Sequence, residues 1–256
     1  MKFIDTHAHV YSAEFDADRT AVIARARQEG IEKIILPAID SETFDAMMEL
    51  QRQHPDLCLA SNGLHPCSVK VESMEAELRF CEEKMNTHAF VAIGECGIDL
   101  YWDQSTFDLQ VEALTIQCGW AVEKKLPIII HSRNATAECI DVLKPFAAKG
   151  LTGVFHCFSG SIDEAVEIIE MGFYLGIGGV LTFKKSELPA VVKQTGLDKL
   201  ILETDSPYLA PVPYRGKRNE SSYLRHIADE MSNIFMLGSH EIAEITSQNA
   251  KSLFKI

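Results

Sequence analysis

Phe3-Ile4-Asp5-Thr6-His7-Ala8-His9 is a short apolar run that ends in polar side chains. Seven further runs of this kind recur along the chain: Lys33–Ile39, Leu57–Leu64, Phe90–Gly97, Pro127–His131, Gly153–Phe158, Phe173–Gly178 and Leu200–Thr204. These runs are apolar at nearly every position and do not alternate with polar residues, so neither face is exposed to solvent. Such runs are typical of parallel strands buried on both sides. The pattern therefore predicts eight buried strands.

Longer segments with helical spacing and a polar face lie between these runs or follow the last one: Asp16–Gly30, Ser41–His54, Gln104–Lys125, Ser161–Gly172, Ser186–Thr195, Glu220–Met236 and Ser239–Phe254. Repeated strand-then-helix units predict right-handed crossovers and a parallel sheet. Eight units in 256 residues favour an α/β fold closed as a (β/α)8 TIM barrel over an open doubly wound sheet. No linker divides the chain, so we expect a single domain over residues 1–256.

The composition excludes several classes of protein. Hydrophobic residues make up 46% of the chain, which is enough for a full core and argues against disorder. The net charge of −13 argues against a broad basic nucleic-acid surface and against binding to an anionic membrane. The first residues do not predict a secretory signal, and no apolar run reaches the roughly 18 residues that predict a transmembrane helix. Seven cysteines without a Cys-x-x-Cys spacing favour a cytoplasmic protein, and nothing indicates an obligate protein partner.

Chemically reactive side chains collect where the predicted strands end: His7, His9, Glu95, His131, His156 and Asp205. Active sites of TIM barrels are built at the carboxyl ends of the strands. The period of two along the first strand puts Asp5, His7 and His9 on one face. Charged groups are rarely buried unless they are paired or bound to metal. These side chains occur at corresponding ends of five predicted strands. That is an improbable coincidence if each one only forms its own separate hydrogen bonds, so a common site is favoured.

Four imidazoles and two carboxylates suit a centre of two divalent cations, with zinc, manganese and magnesium all possible. Glu95 is expected to bridge the two ions. The ligands are divided as His7, His9 and Asp205 for the first ion, and His131 and His156 for the second. Such a centre activates water as a nucleophile near neutral pH, which predicts a hydrolase.

Seven motifs carry a resemblance to a known family: DTHAH at 5–9, GLHP at 63–66, GECGID at 94–99, HSR at 131–133, HCFSG at 156–160, ETDSPYL at 203–209 and PYRGKRNE at 213–220. Together they resemble the TatD family of metal-dependent deoxyribonucleases, within the amidohydrolase-like metal barrels. The resemblance implies a two-metal site with the same six ligands. It also implies hydrolysis of DNA, often from the 3′ end of single strands, with DNA or oligonucleotide ends as substrate. Cys96 and Ser221 depart from the family pattern, and strand alternation predicts that Cys96 points away from the metals.

Two further residues are candidates for catalytic roles beside Glu95 and Asp205. His65, at the predicted end of the third strand, is a candidate substrate-phosphate contact or proton shuttle, with a structural histidine as the alternative. Glu203 could orient a ligand or act as a general acid or base, or it could be a hydrogen-bonded carboxylate of the barrel interior.

Substrate contacts are expected from side chains around the mouth of the barrel. Arg133 could form a bidentate hydrogen bond with a phosphate, or it could form a salt bridge to a neighbouring loop. Arg215 belongs to the basic patch 215–218, although charge runs are usually only solvated. Tyr101 and Trp102 could stack a base or simply pack on the rim.

Other functions remain open at this level. An amidohydrolase or lactonase would use the same metals on a small substrate, but Glu95 stands where a lysine for carbamylation would be needed. Hydrolysis of D-aminoacyl-tRNA esters and non-catalytic binding of metal or nucleic acid are further alternatives. Two dications, less one Glu and one Asp, leave about +2 at the mouth. The acidic net charge therefore argues only against extended binding along a duplex.

Overall fold

The computed structural model describes residues 1–256 as an alternation of parallel strands and helices. The strands are β1 (Phe3–Asp5), β2 (Ile31–Leu36), β3 (Cys58–Ala60), β4 (Ile93–Asp99), β5 (Ile128–Arg133), β6 (Gly153–Phe155), β7 (Tyr174–Ile177) and β8 (Leu200–Leu202). The helices are α1 (Arg19–Gln28), α2 (Ser41–Gln53), α3 (Met74–Met85), α4 (Phe107–Lys124), α5 (Thr136–Ala147), α6 (Ile162–Glu170), α7 (Leu188–Thr195), α8 (Leu224–Phe235) and α9 (Ser239–Phe254). Each of the eight predicted runs contains or overlaps one strand.

The strands close into a barrel through two seams. β1 to β3 form one parallel ladder and β4 to β8 form another. Parallel bridges join Asn62 to Ile93 and Ala8 to Ser206, which connects the two ladders at both edges. The backbone N–H of Thr6 also donates to the carbonyl of Leu202, at 3.1 Å, across the second seam. The prediction of a (β/α)8 barrel is confirmed.

The barrel interior is layered. Apolar side chains from five strands meet in one buried cluster together with the end of α9: Ile4, Ile35, Ile129, Val154, Ile201, Leu253 and Phe254. Side chains two residues apart along extended backbone share a face. The interior positions that come two residues after Ile129, Val154 and Ile201 are therefore those of His131, His156 and Glu203. An apolar layer therefore supports a polar layer at the carboxyl ends of the strands.

The first, third, sixth and eighth strands are shorter than the sequence pattern predicts. β6 ends at Phe155 and β8 at Leu202, so His156, Glu203 and Asp205 follow their strands directly. β1 ends at Asp5 and β3 at Ala60, so His7, His9 and His65 lie in irregular backbone beyond the strands. His65 does not end a strand; it caps the short 3-10 helix Pro66–Ser68. Pro66 has no backbone N–H to donate to a ladder, so the strand cannot continue through it.

All seven cysteines are free thiols. Cys96 is fully buried, and its thiol donates to the carbonyl of Ile129, so it points into the core as alternation predicts. No helix combines the length and apolar character that crossing a membrane requires.

Candidate metal centre

Glu95 lies at the middle of the cluster and divides it into two halves. Its Oε2 lies 3.1 Å from His7 Nε2 and 3.5 Å from His9 Nε2. Its Oε1 lies 2.8 Å from His131 Nδ1 and 3.0 Å from His156 Nε2. The two carboxylate oxygens therefore face different imidazole nitrogens, which is the arrangement a bridging ligand requires.

Asp205 approaches the half that contains His7 and His9. Its Oδ1 lies 3.8 Å from the Nε2 atom of each histidine. Asp205 has a positive φ of 57°, an uncommon conformation for a residue other than glycine. The backbone N–H of Asp205 donates to the carbonyl of His7 at 2.9 Å, which ties the segment after β8 to the segment after β1. The structure thus brings all six predicted ligands together.

Asp5 does not join this cluster, although strand alternation groups it with His7 and His9. Its carboxylate accepts hydrogen bonds from the backbone N–H of Thr204 at 2.9 Å and from the Thr204 hydroxyl at 2.7 Å. Asp5 is fully buried and joins the segment after β8 to β1. Its role is to hold the barrel seam below the centre.

The donor set fits divalent cations. Glu95 is 2% exposed, and its Oε2 is buried without a hydrogen-bond partner. His7 Nε2 and His9 Nε2 lie only 3.2 Å apart and converge on this oxygen. Three sets of potential ligand atoms each lie within 4.8 Å of one another: His7, His9 and Glu95; His7, His156 and Asp205; and His65, Glu95 and His131. Nitrogen and carboxylate ligands at this density suit borderline or hard dications.

Two of the imidazoles are held in the neutral state that ligation needs. Burial lowers the pKa of His7 to about 4, and it also holds the pKa of His9 well below its ordinary value. Burial by itself raises the pKa of Glu95, but the surrounding histidines, His156 first, bring it well below the ordinary range. Glu95 is therefore an ionised carboxylate with the neutral imidazoles of His7 and His9 on one side. On the other side burial lowers the pKa of His156, but the charge of Glu95 outweighs this effect and holds that pKa well above its ordinary value.

A hydrogen-bond chain fixes the tautomer of His9. The hydroxyl of Tyr11 donates to the carbonyl of Pro37 at 2.5 Å. Because this hydroxyl has only one proton, it must accept from His9 Nδ1, which lies 3.0 Å away. Nδ1 then carries the hydrogen, and Nε2 is left with its lone pair toward Glu95. Tyr11 was not singled out from the sequence; its position two residues beyond His9 in the alternating segment is the signal that points to it.

Asp99 plays the same part for His131. Asp99 Oδ2 lies 2.9 Å from His131 Nε2, on the side of the ring opposite Glu95. A proton on Nε2 leaves the lone pair of Nδ1 directed at the centre, which is how outer carboxylates orient metal-binding histidines. Asp99 lies four residues after Glu95 on the same strand, and the sequence pattern alone indicated no role for it.

Glycine allows the strands to come close at this point. Gly97 has a φ of 150°, and a Cβ atom there would lie 1.9 Å from the carbonyl oxygen of His131. Similarly, a Cβ atom on Gly176 would lie 2.2 Å from Glu203 Oε2. The two glycines leave room for His131 and Glu203 in the interior.

Glu203 lies beneath His156. Its Oε1 accepts a hydrogen bond from the backbone N–H of Cys157 and lies 3.4 Å from His156 Nδ1. Its other oxygen is buried without a partner. Glu203 is itself fully buried below the ligands, a position from which it can orient His156.

His65 differs from the other histidines in its hydrogen bonding. Its Nδ1 accepts from the backbone N–H of Cys67 at 3.1 Å, so the neutral ring carries its proton on Nε2. This Nε2 lies 3.2 Å from Glu95 Oε1. With its lone pair already used, the neutral ring is a hydrogen-bond donor at the edge of the centre and not a further ligand.

The basic residues predicted at the mouth have different surroundings. The guanidinium of Arg133 stacks 3.9 Å above the ring of Tyr101 and forms no salt bridge, so the salt-bridge alternative is wrong. Arg215 stacks 3.8 Å above Phe183 and is exposed. Arg218 instead pairs with Asp18 at 2.8 Å. The patch 215–218 therefore has less free charge than its sequence suggests.

A barrel with buried histidine and carboxylate ligands at the carboxyl ends of its strands defines a metal-dependent hydrolase, and comparisons with known proteins agree. A family model described as TatD related DNase matches residues 4–255. The chain therefore belongs to the TatD family. An uncharacterized metal-dependent hydrolase of Bacillus subtilis, YabD, is 41% identical over 253 residues, covering 98% of both chains.

Two further relatives bear on function and fold. A protein of Erwinia tasmaniensis named 3′-5′ ssDNA/RNA exonuclease TatD is 33% identical over 260 residues, covering 98% of this chain and 99% of its own. The crystal structure of YjjV, a TatD homologue from Escherichia coli K12, superposes with a TM-score of 0.90 at 31% identity. That match covers 99% of this chain and 98% of the other.

Proposed function

We propose that this protein hydrolyses phosphodiester bonds in single-stranded nucleic acid, releasing nucleotides from the 3′ end of DNA or short oligonucleotides. The observation that carries the proposal is the position of Glu95, whose two oxygens face different histidines. The name of the Erwinia relative supplies the polarity and the single-stranded substrate.

Two divalent cations, magnesium, manganese or zinc, would be held by the six ligands. His7, His9 and Asp205 would hold one ion, His131 and His156 the other, and Glu95 would bridge them. When bound, the ions would lower the pKa of a water molecule and neutralise charge that develops on a phosphate.

The other residues of the site position the substrate and the ligands. His65 presents an N–H group beside Glu95 Oε1, where it can donate to a phosphate oxygen. Glu203 holds the β6 segment that carries His156, through the N–H of Cys157. Arg133 and Arg215 offer exposed guanidinium groups at the mouth, which suit the phosphates on either side of the scissile bond.

The experiment is a strand-shortening assay with 5′-labelled single-stranded DNA and metal-reconstituted protein. We expect a ladder that shortens from the 3′ end, and we expect Glu95→Gln and His131→Ala to abolish it. Glu123→Gln and His240→Ala are matched controls, because both residues are exposed on helices away from the mouth. Turnover of lactones, amides or D-aminoacyl esters without any shortening of DNA would overturn the proposal.

A further inference from the structure

Tyr101, Trp102 and Arg133 form a cluster at the mouth of the barrel, here called the aromatic rim. Tyr101 is 54% exposed and Trp102 is 69% exposed. Their rings meet edge to face with centroids 4.9 Å apart. The guanidinium carbon of Arg133 lies 3.9 Å from the centre of the Tyr101 ring and 5.5 Å from that of Trp102.

The aromatic rim is open to a ligand. Arg133 makes no salt bridge, and its side chain donates no hydrogen bond within the chain, so its N–H groups are available. The exposure of Trp102 means that packing against the barrel does not account for its ring. An unpaired guanidinium beside two exposed aromatic faces is complementary to a phosphate next to a planar base.

One carboxylate connects the aromatic rim to the candidate metal centre. Asp99 Oδ1 accepts hydrogen bonds from the backbone N–H groups of Tyr101, at 2.9 Å, and Trp102, at 3.0 Å. Its other oxygen bonds His131. Arg133 lies two residues beyond His131 on β5, about 7 Å along the strand. The aromatic rim is therefore held at a fixed position beside the ligands.

We propose that the aromatic rim is a nucleobase-stacking subsite, in which Trp102 and Tyr101 hold a base next to the scissile phosphate and Arg133 contacts the flanking phosphate. The inference rests on the proposed function and adds how the strand is recognised. Stacking accepts any base because each has a planar face. It also suits a chain with a net charge of −13, because it holds a strand without a long basic groove.

The test compares two single strands that differ only at the nucleotides flanking the scissile phosphate, which carry bases in one and abasic tetrahydrofuran sites in the other. For Trp102→Ala we expect kcat/KM on the base-bearing strand to fall by about 5- to 150-fold, with little change on the abasic strand. Trp102→Phe should retain most of the activity, because a ring remains. Met236→Ala is the control, since Met236 is 87% exposed at the end of α8.

Equal losses on both strands, or no loss on either, would overturn the stacking subsite while leaving the proposed function intact. If no strand is cleaved, a binding measurement still tests the stacking subsite separately from the proposed nuclease function. The chain has two tryptophans, so Trp120→Phe leaves Trp102 as the sole tryptophan fluorophore. We expect the base-bearing strand to quench its fluorescence and the abasic strand to do so much less. Equal quenching by both strands would contradict the subsite even without catalysis.

Discussion

Asp99 and His131 form a hydrogen-bonded pair, with Asp99 Oδ2 2.9 Å from His131 Nε2, while the other ring nitrogen of His131 lies 2.8 Å from Glu95. The pair fixes which nitrogen of His131 is free to bind a cation. The same carboxylate caps the loop that carries Tyr101 and Trp102. One side chain therefore sets both the ligand and the loop beside it.

Asp99→Ala should weaken metal binding and activity by about 10- to 100-fold, because His131 would lose the partner that fixes its tautomer. Calorimetric titration of the metal-free variant with Mn²⁺ or Zn²⁺ measures the affinity directly. Asp103→Ala is the matched control, because Asp103 is exposed in the same loop and its carboxylate accepts hydrogen bonds only from Ser105. Equal affinities for Asp99→Ala and the wild type would contradict the orienting role.

Tyr11→Phe should lower metal affinity by about tenfold or more. The change removes the hydroxyl that accepts from His9 Nδ1 and donates to Pro37, so the His9 proton can move to the nitrogen that faces Glu95. The buried Pro37 carbonyl also loses its donor, which should cost about 1–3 kcal/mol of unfolding free energy. Tyr223→Phe, which breaks no side-chain hydrogen bond, should change neither the titration nor the denaturation midpoint.

Asp5 makes stability depend on pH in a defined direction. Burial raises the pKa of Asp5 to about 6 from its ordinary value of 3.8, so between these values the folded chain binds more protons than the unfolded one. Stability from this group is therefore fully present only below pH 3.8 and is lost as pH rises through 6, by about 2 kcal/mol between pH 4 and 6.5. Asp5→Asn cannot ionise, so its unfolding free energy relative to the wild type should rise by about that amount from pH 4 to 6.5.

Urea denaturation of both metal-free proteins across this range measures the difference. Any constant effect of the amide on the bonds to Thr204 cancels, because only the change with pH is compared. A difference that stays flat from pH 4 to 6.5 would contradict the raised pKa of Asp5.

Gly97→Ala should destabilise the protein by more than about 1 kcal/mol, because the new Cβ would collide with the His131 carbonyl at a backbone conformation that alanine avoids. Gly119→Ala makes the same chemical change inside α4, where a Cβ atom would meet nothing within 4 Å. That control should gain about 0.5–1 kcal/mol from helix propensity. Thermal unfolding of the two variants gives the comparison, and similar midpoints would show that β4 and β5 can separate freely.

The sequence predicted the barrel because buried parallel strands have a clear apolar signature, and the six ligand positions followed from the strand ends. It could not show that β1 stops at Asp5, since the backbone turns away to bond across the seam at Thr6 and Ala8. Asp99 and Tyr11 were missed because their roles depend on which nitrogen of a neighbouring ring they face. The pairing of Arg218 with Asp18 joins residues 200 positions apart and has no local signal.

The number of ions bound per chain tests the central claim most directly. Metal-free protein titrated with Mn²⁺ should bind two ions, and strand-shortening activity should saturate only when both are present. Glu95→Gln should bind at most one ion tightly and lose the activity, because one carboxylate joins the two halves of the centre. Full activity at one ion per chain, or two tightly bound ions in Glu95→Gln, would contradict a bridge through Glu95.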